Sequence, residues 1–387
     1  MGEKAFKPTL KNSLEIARFL GYPEKELKLV HVAGSNGKGS TSSMLASSLT
    51  EAGYKVGLFT SPHIKDYTER IRINGEQIPV EFVVQFIRKI KSVSFNFSPS
   101  FFEITLGLAL DYFKAANCDI CIIETGLGGR FDATNIISPI LSIITNISLE
   151  HTDMLGDTIE LIAKEKAGII KPKTPVALGK MKQEALDVMI DTANKKNCQI
   201  FLSNLEEQKE YDLPLLGDYQ KENLSTVITS LKVLKGLGFK VNKHQIDLGL
   251  QKLTKNTGFA GRLQLISSSP RVIHDVSHNP DGIKASLETI YNSTQGDLHI
   301  IYGTSGDKDL LSSIALFPEK ARLYFTEFSN PRTAKIEELR SISDQFVFMD
   351  KIFFNDPKLA LQTAKDCAST RDTILVIGSF FLISDFL

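Results

Sequence analysis

The chain has 387 residues, 42% hydrophobic and 23% charged, an ordinary globular balance in a chain too long for one compact core, so two or three domains are expected. Lys+Arg and Asp+Glu both number 45; without a basic surplus, sequence-independent nucleic-acid binding is disfavoured and no nucleic-acid partner is expected. No apolar run reaches the roughly 20 residues that span a bilayer, residues 1–6 carry no apolar leader core, and four cysteines make no disulfide framework, so the expectation is a cytoplasmic protein with no membrane partner.

In chain order, short apolar runs alternate with longer helical patterns. The first run, 29–33, leads into Gly34-Ser35-Asn36-Gly37-Lys38-Gly39-Ser40-Thr41 and a helix predicted over 41–52, stopped by Gly53. Strands are predicted at 55–59, 119–123, 141–144 and 175–178. Such β–α alternation implies a largely parallel sheet covered on both faces. Cys118 and Cys121 fall at the start of the 119–123 run, and with Cys198 and Cys367 standing alone no tetrahedral metal site is completed, so they read as core cysteines. A further helix follows 216–220, and 252–261 reads as a linker. A second α/β unit then has strands at 263–266, 271–274, 298–302, 321–325 and 373–377. The predicted division is an N-terminal domain over 1–256, a linker over 257–260 and a C-terminal domain over 261–387.

The segment after the first strand carries the first chemistry. Glycines let a backbone wrap a phosphate closely, with the N–H groups of the loop and of the helix N-terminus pointing at it. Lys38 is placed for the β/γ phosphates, and Ser40 or Thr41 for a hydroxyl near bound Mg²⁺. The usual pattern has Gly where this chain has Val32, and Ser or Thr where it has Gly39. The strand–loop–helix setting still favours a phosphate loop over an ordinary glycine turn, so a nucleoside triphosphate is the expected ligand. Switch, motor, kinase and ligase all remain open at this point.

Later segments narrow the choice. Gly34 to Ser40, Thr60-Ser61-Pro62-His63, Tyr67-Thr68-Glu69-Arg70-Ile71, Glu124-Thr125-Gly126-Leu127-Gly128-Gly129-Arg130-Phe131-Asp132-Ala133-Thr134-Asn135, Glu150-His151-Thr152-Asp153 and Ala163-Lys164-Glu165-Lys166-Ala167-Gly168 occur in that order. Leu216 to Asn223, Gly261-Arg262, Asp275-Val276-Ser277-His278-Asn279-Pro280, Asp307-Lys308-Asp309, Asn330-Pro331-Arg332 and Gly378-Ser379-Phe380 continue the series. Together they resemble the folylpolyglutamate synthase/dihydrofolate synthase family, relatives of the Mur ligases, over almost the entire chain. Ala260 and Ser277 depart from the residues usual there, and the chain is short for the family.

The resemblance implies an α/β fold. It pairs an N-terminal P-loop ATPase domain, with a largely parallel sheet, with a smaller Rossmann-like C-terminal domain. It implies an ATP-dependent ligase that adds L-glutamate to dihydropteroate or to folate (poly)glutamates, with ATP as cosubstrate and two Mg²⁺ ions, acting as a monomer. By the same resemblance Gly34, Asn36, Gly37, Lys38, Gly39, Ser40, Thr41, Asn223, Arg262, Asp275 and His278 bind ATP. Ser61, Glu124, His151 and a carbamylated Lys166 hold the metals; Lys38, His151, Lys166 and Arg262 serve catalysis; Arg130, Asp132 and Phe102 face the pteroate. Taken without the resemblance, Glu124 reads equally as a solvated strand-end carboxylate, since base rates alone do not favour a ligand. His151 reads as a structural histidine, because Mg²⁺ prefers oxygen. Lys166 reads as one more solvated lysine beside Lys164 and Lys171, and Phe102 as part of a core helix. The alternatives are another Mur-type ligase acting on a cell-wall precursor, and a nucleotide-binding module that makes no amide.

Overall fold

The structure is a computed structural model that describes residues 9–387; the opening residues 1–6, read above for a leader, lie outside the described residues. The chain divides into two compact units. One holds the chain up to His63, Tyr67–Pro214 and Tyr219–Phe259; the other holds Ile64–Asp66, Leu215–Asp218 and Ala260–Leu387.

The first unit is built on eight strands: β1 (Leu29–Ala33), β2 (Val56–Phe59), β3 (Ile71–Ile73), β4 (Glu76–Gln77), β5 (Ile120–Glu124), β6 (Leu141–Ile144), β7 (Val176–Leu178) and β8 (Ile200–Leu202). Their order is β4-β3-β2-β5-β1-β6-β7-β8. All neighbours pair in parallel except β2 with β3 and β3 with β4. Every residue of β1, β2, β5, β6 and β7 is buried, as it must be where helices cover both faces of a parallel sheet. One apolar cluster joins Leu29, Phe59, Ile71 and Ile123 to Ile16, Phe86, Leu106 and Phe113 of three helices. A second joins Ala33, Ile144, Val176 and Leu178 to Ile162, Ala163, Ala185 and Met189.

The second unit has six strands, β9 (Gln264–Ser268), β10 (Arg271–Asp275), β11 (Leu298–Tyr302), β12 (Arg322–Thr326), β13 (Asp350–Phe354) and β14 (Thr373–Ile377), in the order β13-β12-β11-β14-β10-β9. Only β9 runs antiparallel to its neighbour. Among the described residues no helix is long and apolar enough to cross a membrane.

Three features differ from the sequence expectation. The first long helix is Lys38–Glu51 rather than 41–52; it begins inside the glycine loop because Gly37, at φ 80°, takes the left-handed N-cap position. The stretch read as a linker contains a helix, Leu253–Thr257. Strands β3, β4, β8 and β13 escaped prediction: they lie toward the sheet margins, and β4, β8 and β13 lack the fully buried pattern that marks the central strands.

The helix Lys38–Glu51 is buried continuously from Ser40 to Leu49, which its small side chains, five of them serines, permit. Ser48 satisfies its own hydroxyl on Met44 O at 2.8 Å, and Ser47 donates to Gly249 O at 2.6 Å. Gly249, in the helix Lys243–Gln251, lies so close that a Cβ there would come within 2.7 Å of the Ser48 Cα and backbone nitrogen. Overpacking against backbone costs about 1–3 kcal/mol. Gly249→Val is therefore expected to lower unfolding stability by about 2–3 kcal/mol in urea titrations; a loss under about 0.5 kcal/mol, the range of ordinary surface substitutions, would show that the two helices separate freely.

Candidate active site

The order β2-β5-β1-β6 brings the carboxyl ends of β5, β1 and β6 side by side, and that edge is where open α/β sheets gather ligands. The loop Gly34–Gly37 leaves β1 there. Two of its glycines are required. Gly34 (φ 153°) would place a Cβ 1.9 Å from Thr145 Oγ1, and Gly37 (φ 80°) one 2.1 Å from Asn223 Oδ1. The segment after β6 pins the loop. Thr145 Oγ1 donates to Asn36 O at 2.5 Å, the Asn36 N–H to Asn146 Oδ1 at 2.8 Å, and the Ser35 N–H to Asn146 O at 2.9 Å. Asn223, on the helix Asp218–Gly236, thus lies directly on the loop. Lys38 folds back, donating to Gly34 O at 2.8 Å and Ser35 O at 3.1 Å.

Lys166 is not the solvated lysine that its neighbours suggest. Its side chain is 1% exposed, whereas Lys164, two residues earlier, is exposed. The Nζ donates to Gly34 O at 2.9 Å and pairs with Glu150 Oε1 at 2.6 Å. Burial lowers the Lys166 pKa, and the Lys38 charge adds to this against the opposing pull of Glu150. For Glu150 burial works upward, but the charges of Lys166 and Lys38 outweigh it and hold the carboxyl at about 2. Glu150 is thus the counter-ion of two lysines, a role that nothing in its local sequence announced beyond its place beside His151. His151 itself takes the left-handed region, at φ 46°, as the N-cap of the short helix Thr152–Leu155.

Glu124 ends β5, is 3% exposed, and accepts the Ser61 N–H at 3.1 Å; it is a buried carboxylate rather than a solvated strand end. The Thr41 and Thr125 hydroxyls are buried, with no hydrogen-bond partner among the described residues. A carboxylate with nearby hydroxyl-bearing residues is the hard oxygen set that Mg²⁺ takes, so these residues fit a divalent cation. Among the described residues no three His, Cys, Asp or Glu side chains gather into a metal cluster.

Beyond Glu124 the glycine-rich segment folds over Asp132. The Asp132 carboxylate accepts the N–H groups of Gly126 and Leu127, each at 2.9 Å, on one oxygen, and the Thr134 N–H at 3.0 Å with the Thr134 hydroxyl on the other. Burial raises its pKa against these hydrogen bonds. Phe102 is in the helix Phe101–Ala115, which is held by a capping box between Ser100 and Glu103. The tip of its ring meets Gly126, where a Cβ would sit 2.7 Å from Cζ, and the ring also packs against Phe59, at 5.7 Å between centroids. Arg130 is exposed, pairs with Glu165 at 3.0 Å and stacks on Phe131 at 4.4 Å. Arg70, which the sequence reading gave no role, donates to His63 Nδ1 at 2.8 Å and lies over the Phe101 ring.

In the second unit Arg262 and His278 flank one ring, Phe380, at 5.0 Å and 6.0 Å. Asp275, fully buried at the end of β10, accepts the N–H groups of Leu263 and Ser277, each at 2.8 Å, and the Ser286 hydroxyl at 3.3 Å. The three residues singled out from sequence therefore collect at the carboxyl edge of this sheet, and Phe380 joins them.

Each unit matches a known domain family. Residues 32–248 match the Mur ligase middle domain, and residues 261–380 the Mur ligase glutamate ligase domain. The dihydrofolate synthase/folylpolyglutamate synthase of Bacillus subtilis is 33% identical over 98% of this chain and 94% of its own length. A probable bifunctional folylpolyglutamate synthase/dihydropteroate synthase of Haloferax volcanii is 30% identical, and the chain spans 48% of its length. Among solved structures, E. coli FolC in complex with DHPP and ADP superposes with a TM-score of 0.87 at 31% identity, covering 100% of this chain and 94% of that one. The Yersinia pestis bifunctional enzyme complexed with AMPPNP and Mn ion gives 0.86 at 29% identity, with 100% and 94% covered.

Removing one member of a buried ion pair costs about 3–5 kcal/mol. In metal-free protein with Lys166 as the free amine, Glu150→Gln is expected to lose that much in urea unfolding at pH 7, and Glu150→Gln with Lys166→Met to regain most of it. The folded pKa of about 2 lies below the ordinary value of about 4.3. The parent's share of this stability is therefore present above about pH 4 and lost as pH falls toward 2. Equal stability of parent and Glu150→Gln at pH 7 would show that the pair contributes nothing.

Proposed function

This chain belongs to the folylpolyglutamate synthase/dihydrofolate synthase family of Mur ligases, and on that footing we propose that it adds L-glutamate to dihydropteroate, to tetrahydrofolate (poly)glutamates, or to both, at the expense of ATP. The observation that carries the reading is the buried Lys166 held on the carbonyl of the phosphate loop, beside Glu124 at the end of the neighbouring strand. The relatives that match along nearly their whole length are dihydrofolate and folylpolyglutamate synthases, which favours this substrate class over a cell-wall precursor.

A carboxylate cannot be aminated directly, because hydroxide is a poor leaving group. In the proposed reaction a carboxylate oxygen of the folate substrate attacks the γ-phosphorus of ATP, giving an acyl phosphate and ADP. The glutamate amine then attacks the acyl carbon, phosphate departs, and the amine gives up a proton. Transfer of the phosphoryl group is chiefly a matter of positioning and charge neutralisation. Gly34, Asn36, Gly37, Gly39, Ser40 and Thr41 present the loop and helix N-terminus to the triphosphate, and Lys38 exchanges the Gly34 and Ser35 carbonyls for its β/γ oxygens. Arg262 neutralises the transferring group, Asn223 and His278 serve the adenine, and Asp275 the ribose. Ser61, Glu124, His151 and Lys166, once its amine leaves Glu150 and takes up CO₂ as a carbamate, would hold two Mg²⁺ ions, which supply charge neutralisation of the triphosphate when bound. Arg130, Asp132 and Phe102 form the pteroate side. We read the enzyme as a cytoplasmic monomer acting on small molecules.

The test is direct. Purified protein, ATP and glutamate are incubated with dihydropteroate and with tetrahydrofolate separately, and products are identified by mass. Gain of one glutamyl unit with matching ADP is expected; ADP release that needs neither folate nor glutamate would favour a nucleotide-binding module that makes no amide.

Lys166→Ala is expected to reduce turnover by about three orders of magnitude, roughly 4 kcal/mol of lost transition-state stabilisation. Acetate or formate should restore part of it by occupying the vacated carboxylate position. Labelled bicarbonate should give a carbamate carbon-13 signal in the parent that is absent from Lys166→Ala. Full activity in that variant would sink the carbamate assignment.

A further inference from the structure

The middle of β1 holds a histidine. His31 is fully buried, an expensive place for an imidazole unless it is hydrogen-bonded. Burial, with the Lys171 charge added, lowers its pKa to about 3, so the ring is neutral at neutral pH and carries one N–H. Its Nε2 lies 2.8 Å from Thr134 Oγ1. Thr134 has a single hydroxyl proton, and that proton goes to Asp132 Oδ1. The Thr134 oxygen must therefore accept from His31, which sets the imidazole as the Nε2–H tautomer. Nδ1 is left bare, and among the described residues it has no partner; an unprotonated ring nitrogen is the less demanding of the two to leave so.

The chain of bonds continues to the surface. Asp132, buried, holds the Gly126 and Leu127 N–H groups on its other oxygen, and Gly126 is exposed. Four donors meet two carboxylate oxygens, and each fixes the direction of the next. The anchor of this series is β1, the same strand that carries the phosphate loop.

We propose that His31 and Thr134 are positioning residues for the folate substrate: acting through Asp132, they set the Gly126–Leu127 peptides against which the pteroate lies. The proposal rests on the reading that Asp132 and its glycine-rich segment form the pteroate side of the site. Neither residue touches the substrate. Their effect is on its binding, and the phosphate loop, pinned independently from Thr145 and Asn146, is left as it was.

The experiment uses the full chain and three variants. Thr134→Val removes the hydroxyl at constant shape, Thr134→Ser keeps it, and His31→Leu removes the anchor. In Thr134→Val and His31→Leu the KM for the pteroate or folate accepted by the parent should rise about tenfold, with the KM for ATP within twofold of parent. Thr134→Ser should return the folate KM to within threefold. Independently of turnover, amide exchange at Gly126 and Leu127 should be at least tenfold faster in Thr134→Val than in parent or Thr134→Ser. An unchanged folate KM with unchanged exchange in Thr134→Val overturns the proposal, as does an equal rise in both KM values, which would mean general loosening of the fold. If exchange quickens as expected while the parent ligates glutamate to no folate, the relay stands as loop architecture. The substrate assignment, and with it the positioning role, then falls.

Discussion

A lysine ammonium buried beside a phosphate loop is the constraint on which the rest of this site depends. Taking an ion out of water is costly unless it is paired and fully hydrogen-bonded. Lys166 meets that demand with Glu150 and the Gly34 carbonyl. To do so it ties together three pieces of chain distant in sequence: the helix Ile159–Ala167, the segment following β6, and the loop following β1. Gly34 O also accepts from Lys38. The two lysines therefore share one carbonyl and one counter-ion, and withdrawing either charge changes the field at the other.

The same crowding explains why the loop has the residues it has. Thr145 and Asn223 approach the backbone of Gly34 and Gly37 so closely that a single added carbon would collide with them. The loop's shape is thus held by neighbours rather than by its own conformational preference. Asn146 takes the N–H groups of Ser35 and Asn36, and the Ser148 N–H donates to Ser35 Oγ. Preorganisation of this kind is what phosphoryl transfer requires, since its catalysis is positioning and electrostatics rather than covalent chemistry.

The two sheets solve a similar problem in different ways. In the first, hydrophobic strands end in polar segments that converge because β1 sits between β5 and β6. In the second, the carboxylate at the end of β10 holds its own turn: Asp275 receives Leu263, Ser277 and Ser286. A carboxylate bonded this way is a rigid element, and Arg262 and His278, next in sequence to two of its donors, both lie against Phe380.

Sequence by itself determined the strands that are buried on both faces. Residues 29–33, 141–144, 298–302 and 373–377 coincide with observed strands because short, mostly apolar runs rich in β-branched residues favour a buried strand. It also offered Gly34–Thr41 as a candidate phosphate loop and determined the family, through motifs ordered along the chain. Tertiary structure decided what the polar residues do. Lys164 and Lys166 are alike in sequence, and only the packing of one helix face against the loop makes one a surface charge and the other a buried ligand candidate. Glu150 became a counter-ion because strand order carried it to Lys166, and His31 met Asp132 through a hydroxyl 103 residues away. Hydrophobic burial is written locally, in the period of a strand or helix; the partner of a buried polar atom is a contact made across the fold, and no local pattern encodes it.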